Sequence, residues 1–131
     1  MPDHAACLSL IDAVERYLDL MFDGDVSRFD DVFAPTAQLH GLRDGNLRLL
    51  SAQEFRNMLA AGPSAKSRNA PRLQELLLMD FASSTQALVK VRVRMDALQY
   101  LDYLSYHCID GAWRITAKSF HIEQRNDAPK N

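Results

Sequence analysis

The chain has 131 residues, of which 47% are hydrophobic and 24% are charged, and its formal net charge at pH 7 is −2. This composition predicts one soluble globular domain over residues 1–131, with a core at about 4–123 and a polar tail at 124–131. The net charge gives no global electrostatic reason to bind nucleic acid or an anionic membrane. The apolar runs are too short to span a bilayer.

The first residues carry no basic segment ahead of their apolar residues, so we expect no signal peptide. Cys7 and Cys108 lie far apart in the sequence and are interpreted as free, buried thiols. Free thiols are typical of a reducing compartment, and the sequence therefore predicts a cytoplasmic protein.

A first helix is predicted over residues 4–23, where apolar side chains recur at spacings of three and four. Asp3 is its predicted N-cap and Gly24 its end. Asp25 is placed to cap a short second helix over residues 26–33, before a proline that cannot continue it.

Two short strands are predicted next, over residues 36–41 and 47–50. Ser51-Ala-Gln-Glu54 is a capping box and predicts the start of a third helix, which Gly62-Pro63 ends. The polar segment 62–71 is predicted to be a mobile loop.

The remainder predicts four antiparallel strands, with a first pair over 73–81 and 85–95 and a final hairpin over 100–122. Asp110-Gly111 is a strong signal for a two-residue hairpin turn. The predicted order is α-α-β-β-α-β-β-β-β, an α+β fold with three helices packed on one face of a strongly curved, mostly antiparallel sheet.

The hairpin turn fixes which residues face each other if pairing continues without interruption. One face then looks like a pocket wall, apolar at its turn end and polar at its open end. Its predicted cross-strand pairs are Cys108 with Trp113, Tyr106 with Ile115, Leu104 with Ala117, Asp102 with Ser119, and Tyr100 with His121.

The opposite face is predicted to point away from the helices, and it is basic. A nucleic-acid interpretation of this face is disfavoured by the negative net charge. Its polar and charged residues are Lys90, Arg92, Arg94, Tyr103, His107, Arg114 and Lys118.

Four segments together suggest a known family: Tyr17 followed by Gly24-Asp25, then Phe33-Ala-Pro-Thr-Ala37, the helix start at 51–55, and Asp110-Gly-x-Trp113-x-Ile115. With these segments the chain resembles the nuclear transport factor 2-like (NTF2-like) superfamily over about residues 8–122. This cone-shaped fold is shared with ketosteroid isomerase, scytalone dehydratase and SnoaL-like polyketide cyclases. The runs 102–104 and 110–115, with Lys118 and Phe120, are most similar to the branch of the superfamily that is named putative lumazine-binding.

The resemblance implies roles for some residues. Tyr17 stands where the isomerase has an oxyanion donor, but Gly41, preceded by His40, stands where it has its general base. The isomerase's protonated acid would fall near Leu104, one same-face step from Asp102. The resemblance also implies a homodimer through the outer sheet face, including Tyr103, Thr116 and Lys118.

These residues also have structural interpretations. Tyr17 can be a packed core tyrosine, Asp102 can hydrogen-bond His121 or Tyr100, and the histidines can simply be satisfied. No metal-ligand spacing or cofactor motif is present in the sequence, so we expect neither.

Three functions remain open. The first is a binding module for a small, mostly apolar or aromatic ligand. The second is a cofactor-independent isomerase, dehydratase or cyclase, with Asp102 and His40 or His121 as acid and base and Tyr17 as oxyanion donor. The third is an interaction protein with a filled interior. The predicted ligand contacts are Tyr17, His40, Tyr100, Asp102, Trp113, Ser119 and His121.

Overall fold

The structure is a computed structural model that describes residues 4–95 and 97–125. Its elements follow the predicted order of helices and strands. The helices are α1 (His4–Asp23), a 3-10 turn (Val26–Arg28), α2 (Phe29–Val32) and α3 (Ala52–Ala61). The strands are β1 (Phe33–Arg43), β2 (Asn46–Ser51), β3 (Gln74–Ser83), β4 (Gln86–Met95), β5 (Leu98–Ile109) and β6 (Ala112–Arg125).

The strands form one six-stranded sheet in the order β2-β1-β6-β5-β4-β3. Strands β1 and β6 pair in parallel, and all other neighbours pair antiparallel. The helices cover one face of this sheet, so the predicted α+β fold is confirmed. The core lies between the helices and that inner face.

Helix α1 has the predicted bounds, and its buried stripe includes Leu10, Val14, Tyr17 and Met21. The predicted cap, Asp3, lies outside the described residues. Tyr17 is fully buried, which places its hydroxyl group directly against the sheet.

The second predicted helix is shorter than expected. The Asp25 carboxylate accepts a hydrogen bond from the Ser27 amide at 3.1 Å, as a cap should. The helix ends at Val32, because Phe33 already has an extended backbone and begins β1. Pro35 therefore lies inside the strand instead of ending the helix.

Both halves of the predicted capping box are present. The Ser51 hydroxyl accepts from the Glu54 amide at 3.1 Å, and the Glu54 carboxylate accepts from the Ser51 amide at 2.9 Å. The loop after α3 is tied back to the end of α1, since the Lys66 amide donates to the Phe22 carbonyl at 3.1 Å. This loop borders the open end of the fold.

The predicted turn at Asp110-Gly111 is confirmed, with φ of 52° and 81° at its two residues. The inner face is also the predicted one, because the Trp113 indole nitrogen donates to the Ser9 hydroxyl of α1 at 3.1 Å. Strands β4 and β5 pair so that Val91 lies opposite Asp102, and both residues are buried on the inner face.

Strand β6 departs from the predicted pairing at Thr116. Tyr106 lies opposite Ile115 as expected, but the preceding Ser105 lies opposite Ala117. Thr116 is therefore the extra residue of a β-bulge. Because side chains alternate along a strand, the residues of β6 after Thr116 change face as far as Ile122, beyond which a second register shift follows.

The three pairings predicted beyond this bulge are wrong. Leu104 lies opposite Lys118, Asp102 opposite Phe120, and Tyr100 opposite Ile122. Lys118 is buried on the inner face, while Ser119 and His121 are exposed.

Neither Cys7 nor Cys108 forms a disulfide. Within residues 4–95 and 97–125, no helix is long and apolar enough to cross a membrane.

Candidate functional site

A cavity of about 260 Å³ opens between α1, α3 and the inner face of the sheet. Most of its wall is apolar, and two ionisable side chains, Asp102 and Lys118, form its buried polar part. Such a composition is typical of a small-molecule pocket. The apolar residues of the wall include Met21, Leu39, Leu50, Phe55, Met58, Leu59, Met95 and Phe120.

A hydrogen bond from helix α1 positions the carboxylate of Asp102. The Tyr17 hydroxyl donates to Asp102 Oδ2 at 2.6 Å, and both residues are buried. Burial, and then the charge of Asp102, raise the pKa of Tyr17 well above its usual value of 10.0. Tyr17 therefore remains a protonated donor, and its hydroxyl is committed to the carboxylate.

Lys118 is the second charged group of the site and is only 5% exposed. Its Nζ lies 3.7 Å from Asp102 Oδ2, an ion-pair distance that is long for a hydrogen bond. It also lies 4.5 Å from the centre of the Phe55 ring and 5.2 Å from that of Tyr17. Burial lowers the pKa of Lys118 from its usual 10.5, and the Asp102 charge opposes this shift without cancelling it.

The other oxygen of Asp102 is unpaired in the part of the chain that the structure describes. Among the described residues, nothing donates a hydrogen bond to Oδ1, although this atom is buried. An unpaired buried carboxylate oxygen is costly. Because Asp102 lines the cavity, its carboxylate lies next to any molecule bound there.

Gly41 allows an aromatic ring to form part of the wall. Gly41 lies beside Phe120 in the parallel pairing of β1 and β6, and a Cβ built on Gly41 would lie 2.4 Å from the Phe120 ring. No side chain fits there while the ring stays in place. The position at which the isomerase resemblance expects a general base is thus covered by Phe120.

Three arginines also line the cavity, Arg43, Arg48 and Arg68, and all three are exposed. With Lys118 they make four cationic residues in the wall against one carboxylate, that of Asp102. The field in the cavity therefore favours a ligand with a negatively charged end.

Only some of the residues predicted to contact a ligand lie at the cavity. Asp102 and Tyr100 line the cavity, and the Tyr100 ring packs edge-on to Phe120 at 6.1 Å. Tyr17 reaches the site through Asp102. Trp113 belongs to the core near the turn, where its ring packs edge-on to Phe81.

Three predicted contacts lie on the other face of the sheet. Ser119 and His121 are exposed because of the bulge at Thr116, and the expectation that they share a face with Asp102 is wrong. His40 pairs with Ser119 and points away from the cavity, whereas its neighbour Leu39 lines it. The expected partner of Asp102, His121, is replaced by Tyr17 and Lys118.

Lys118 is the functional residue that the sequence interpretation misplaced. It was expected on the outer, dimer-forming face, but burial beside Asp102 excludes it from that surface. One signal was present in the sequence. The large apolar residues of this strand fall at odd positions up to Ile115 and at even positions from Phe120 on, and such a change of parity indicates a bulge.

Among the residues that the structure describes, no three His, Cys, Asp or Glu side chains are grouped to hold a metal ion. The charged side chains of the cavity wall are one carboxylate, one amine and three guanidinium groups, and hydroxyl side chains are contributed by Tyr100 and Ser64.

The fold and its lined cavity define an NTF2-like protein. Solved structures agree: an NTF2-like protein of unknown function from Silicibacter pomeroyi superposes with a TM-score of 0.83 at 22% identity, over 94% of this chain and 100% of that one. A ketosteroid isomerase-like protein from Erwinia carotovora atroseptica superposes with a TM-score of 0.68 at 11% identity, over 89% and 95% of the two chains. At these identities the likeness concerns the fold.

The family can be stated more narrowly. The family described as putative lumazine-binding matches residues 6–121, and the chain belongs to that family. A curated relative, named aldolase FrzH, from Cladobotryum sp., is 28% identical over 111 residues, which cover 83% of this chain and 85% of the relative.

Proposed function

We propose that this protein binds a small, mostly apolar molecule in the cone, with a carbonyl group of that molecule next to Asp102 and Lys118. The observation that carries the proposal is the cavity of about 260 Å³, whose apolar wall ends at these two buried polar groups. An open cavity of this kind favours a binding role over an interior filled by side chains.

The polar groups suggest how the ligand is oriented. Lys118 can donate to a carbonyl oxygen, and Asp102 Oδ1 can accept from a neighbouring hydroxyl or amine. The exposed Arg43 and Arg48 favour a carboxylate or phosphate at the far end of the molecule. The proposed ligand therefore has a polar head, an apolar body and an anionic tail.

A second candidate is a cofactor-independent enzyme that acts on carbonyl compounds. Asp102 and Lys118 form an acid–base pair in place of the Asp–His pair expected from the sequence, and both reach the cavity. The relative named as an aldolase supports chemistry beside a carbonyl group. Steroid-type isomerisation receives less support, because Phe120 covers Gly41 at the position expected for the base.

Binding can be tested with probes that share one skeleton. 3-Phenylpropanol carries a neutral hydroxyl group, and 3-phenylpropanoate carries a carboxylate in its place. Lumazine is included as a further probe because the family's description names it. Protein-observed NMR titration should show shifts at Leu39, Phe55 and Tyr100, with 3-phenylpropanoate bound more tightly than the alcohol at low salt. Native mass spectrometry of freshly purified protein would reveal any compound that co-purifies.

A matched pair of variants locates the binding. Leu59→Trp places a large ring in the cavity wall, whereas Leu42→Trp places the same ring on an exposed position of β1. Binding should be lost in the first variant and kept in the second. Equal binding by both would contradict the proposal, as would loss of binding in His121→Ala, whose side chain lies on the other face.

A further inference from the structure

The Lys118 amine is presented to the cavity in an unusual setting. It is buried, it lines the cavity, and its nearest charged neighbour is Asp102 Oδ2 at 3.7 Å. The Phe55 ring lies on another side of it, at 4.5 Å from the ring centre. Because burial lowers the pKa of Lys118, a larger fraction of this amine is unprotonated near neutral pH than for a lysine in water.

An unprotonated amine beside a bound carbonyl group is a nucleophile. We propose that Lys118 Nζ attacks the carbonyl carbon of an aldehyde or ketone bound in the cavity and forms an imine with it. The inference rests on the proposed function, since the carbonyl group must first be held at the base of the cavity. It adds a covalent step and restricts the ligand class to aldehydes and ketones.

The step needs a proton relay and no other reagent. The nitrogen lone pair forms the C–N bond, and the carbonyl π pair moves to oxygen. Asp102 takes a proton from nitrogen and passes it to that oxygen, giving a carbinolamine. The C–O bond then breaks, the second amine proton follows the same route, and oxygen leaves as water. The net change is carbonyl plus amine giving imine plus water, with no oxidation or reduction.

The geometry of Asp102 suits this relay. Oδ2 faces Lys118 and is held in place by the Tyr17 hydroxyl at 2.6 Å. Oδ1 has no hydrogen-bond partner among the described residues and can accept the transferred proton. Tyr17 is thus a positioning residue, because its hydroxyl acts on the carboxylate.

The other described lysines provide internal controls. Lys66 is exposed in the loop after α3. Lys90 is half-buried on the outer face, with its Nζ 5.6 Å from the centre of the Tyr103 ring. Neither lines the cavity, so both report the ordinary reactivity of a lysine on this protein.

The test is reductive trapping with 3-phenylpropanal and sodium cyanoborohydride at neutral pH, followed by peptide mapping. Reduction converts an imine into a stable phenylpropyl amine on the lysine that formed it. We expect Lys118 to be modified at least about tenfold faster than Lys66 or Lys90, because a larger fraction of its amine is unprotonated. 3-Phenylpropanol, which occupies the cavity without reacting, should slow the modification of Lys118 alone.

Lys118→Arg keeps a positive charge and cannot form the imine, and Lys90→Arg is its matched control. The first variant should lose the fast adduct, and the second should keep it. Modification of Lys66 and Lys90 with Lys118 unmodified, in protein that binds 3-phenylpropanol, would overturn the imine and leave the proposed function standing. Should Lys118→Arg fail to fold, the site selectivity and competition in the wild-type protein still decide the question.

Discussion

Tyr17 and Asp102 are separated by 85 positions in the sequence, yet the tyrosine hydroxyl donates to the carboxylate at 2.6 Å in the buried interior. The bond joins α1 to β5 at the base of the cavity. It fixes one carboxylate oxygen, while the other is buried without a hydrogen-bond partner among the described residues. The polar part of the site is therefore positioned by the packing of α1 on the sheet.

Tyr17→Phe should lower the free energy of unfolding by about 1–2 kcal/mol, because Asp102 loses a buried hydrogen bond. Tyr106→Phe is the matched control: Tyr106 is equally buried, but its hydroxyl has no partner among the described residues. Its removal should leave stability unchanged or raise it. Urea denaturation of both variants measures the difference, and equal losses would contradict the hydrogen-bond argument.

Asp102→Asn keeps the shape of the side chain and removes its charge, whereas Asp102→Leu removes hydrogen bonding as well. If Asp102 anchors the ligand, both should weaken the binding of 3-phenylpropanol, the leucine variant more strongly. A purely structural Asp102 would instead cost about 1–3 kcal/mol of stability and leave binding by the folded protein intact. Thermal melts with and without the probe separate the two cases, since undiminished probe-induced shifts would refute the anchor.

Lys118 should make stability depend on pH. Its pKa is lowered in the folded protein, so the unfolded chain binds more protons between that pKa and 10.5. The free energy of unfolding should therefore rise with pH in this window, by at most about 1.4 kcal/mol per pH unit. Tyr17 has the opposite effect above about pH 10. Because its pKa is raised in the folded state, the folded protein binds more protons there, and the free energy of unfolding should fall as the pH rises.

The Lys118 contribution is isolated by comparing the wild type with Lys118→Met, in which that group does not titrate. The wild type should gain stability relative to the variant as the pH rises from about 7 to 10. A constant difference across this range would mean that Lys118 keeps an ordinary pKa in the folded protein.

Gly41→Ala should push the Phe120 ring out of its place, because the new Cβ would lie 2.4 Å from it. Overpacking of this kind costs about 1–3 kcal/mol. Since Phe120 lines the cavity, probe binding should weaken too. Phe120→Leu should recover part of the stability lost by Gly41→Ala, and a double-mutant cycle without any coupling would contradict the contact.

We propose that the protein is a homodimer through the outer sheet face, which includes Tyr103 and Thr116. Tyr103 is exposed. On the same side of the sheet, the Thr116 hydroxyl oxygen and His107 Nδ1 are joined by a hydrogen bond of 2.6 Å. Light scattering at micromolar concentration should report a dimer, and Tyr103→Glu should dissociate it. A dimer that survives this change but dissociates in Leu76→Lys would instead be built on the exposed edge strand β3.

The elements that the sequence predicted well are set by local chemistry. The bounds of α1 follow from the spacing of its apolar residues, the start of α3 from the Ser51–Glu54 capping box, and the final hairpin from Asp110-Gly111. Each signal acts within a few residues, so it can be recognised without the rest of the chain.

The site was harder to predict because its residues depend on pairing between distant strands. Asp102 was placed correctly on the inner face, but its partners were not. The bulge at Thr116 carries no glycine, and β6 also pairs in parallel with β1, with its own irregularity between Phe33 and Gln38. The inward position of Lys118 follows from the bulge in the β5–β6 hairpin, and the change of parity between Ile115 and Phe120 is a weaker local signal than a turn or a helix cap.

The bulge also determines how single-codon events would act on the site. Deleting the codon for Thr116 would remove the extra residue and leave Ala117 opposite Ser105 and Lys118 opposite Leu104, so that Lys118 and Phe120 would still face inward. Loss of the bulge at full length would instead bring Thr116 opposite Ser105, and Ser119 and His121 would then face inward in place of Lys118 and Phe120. For relatives of this chain, a one-residue alignment gap at Thr116 is therefore expected to preserve the amine and aromatic ring of the pocket, whereas a strand of equal length without the bulge would carry a hydroxyl and an imidazole there.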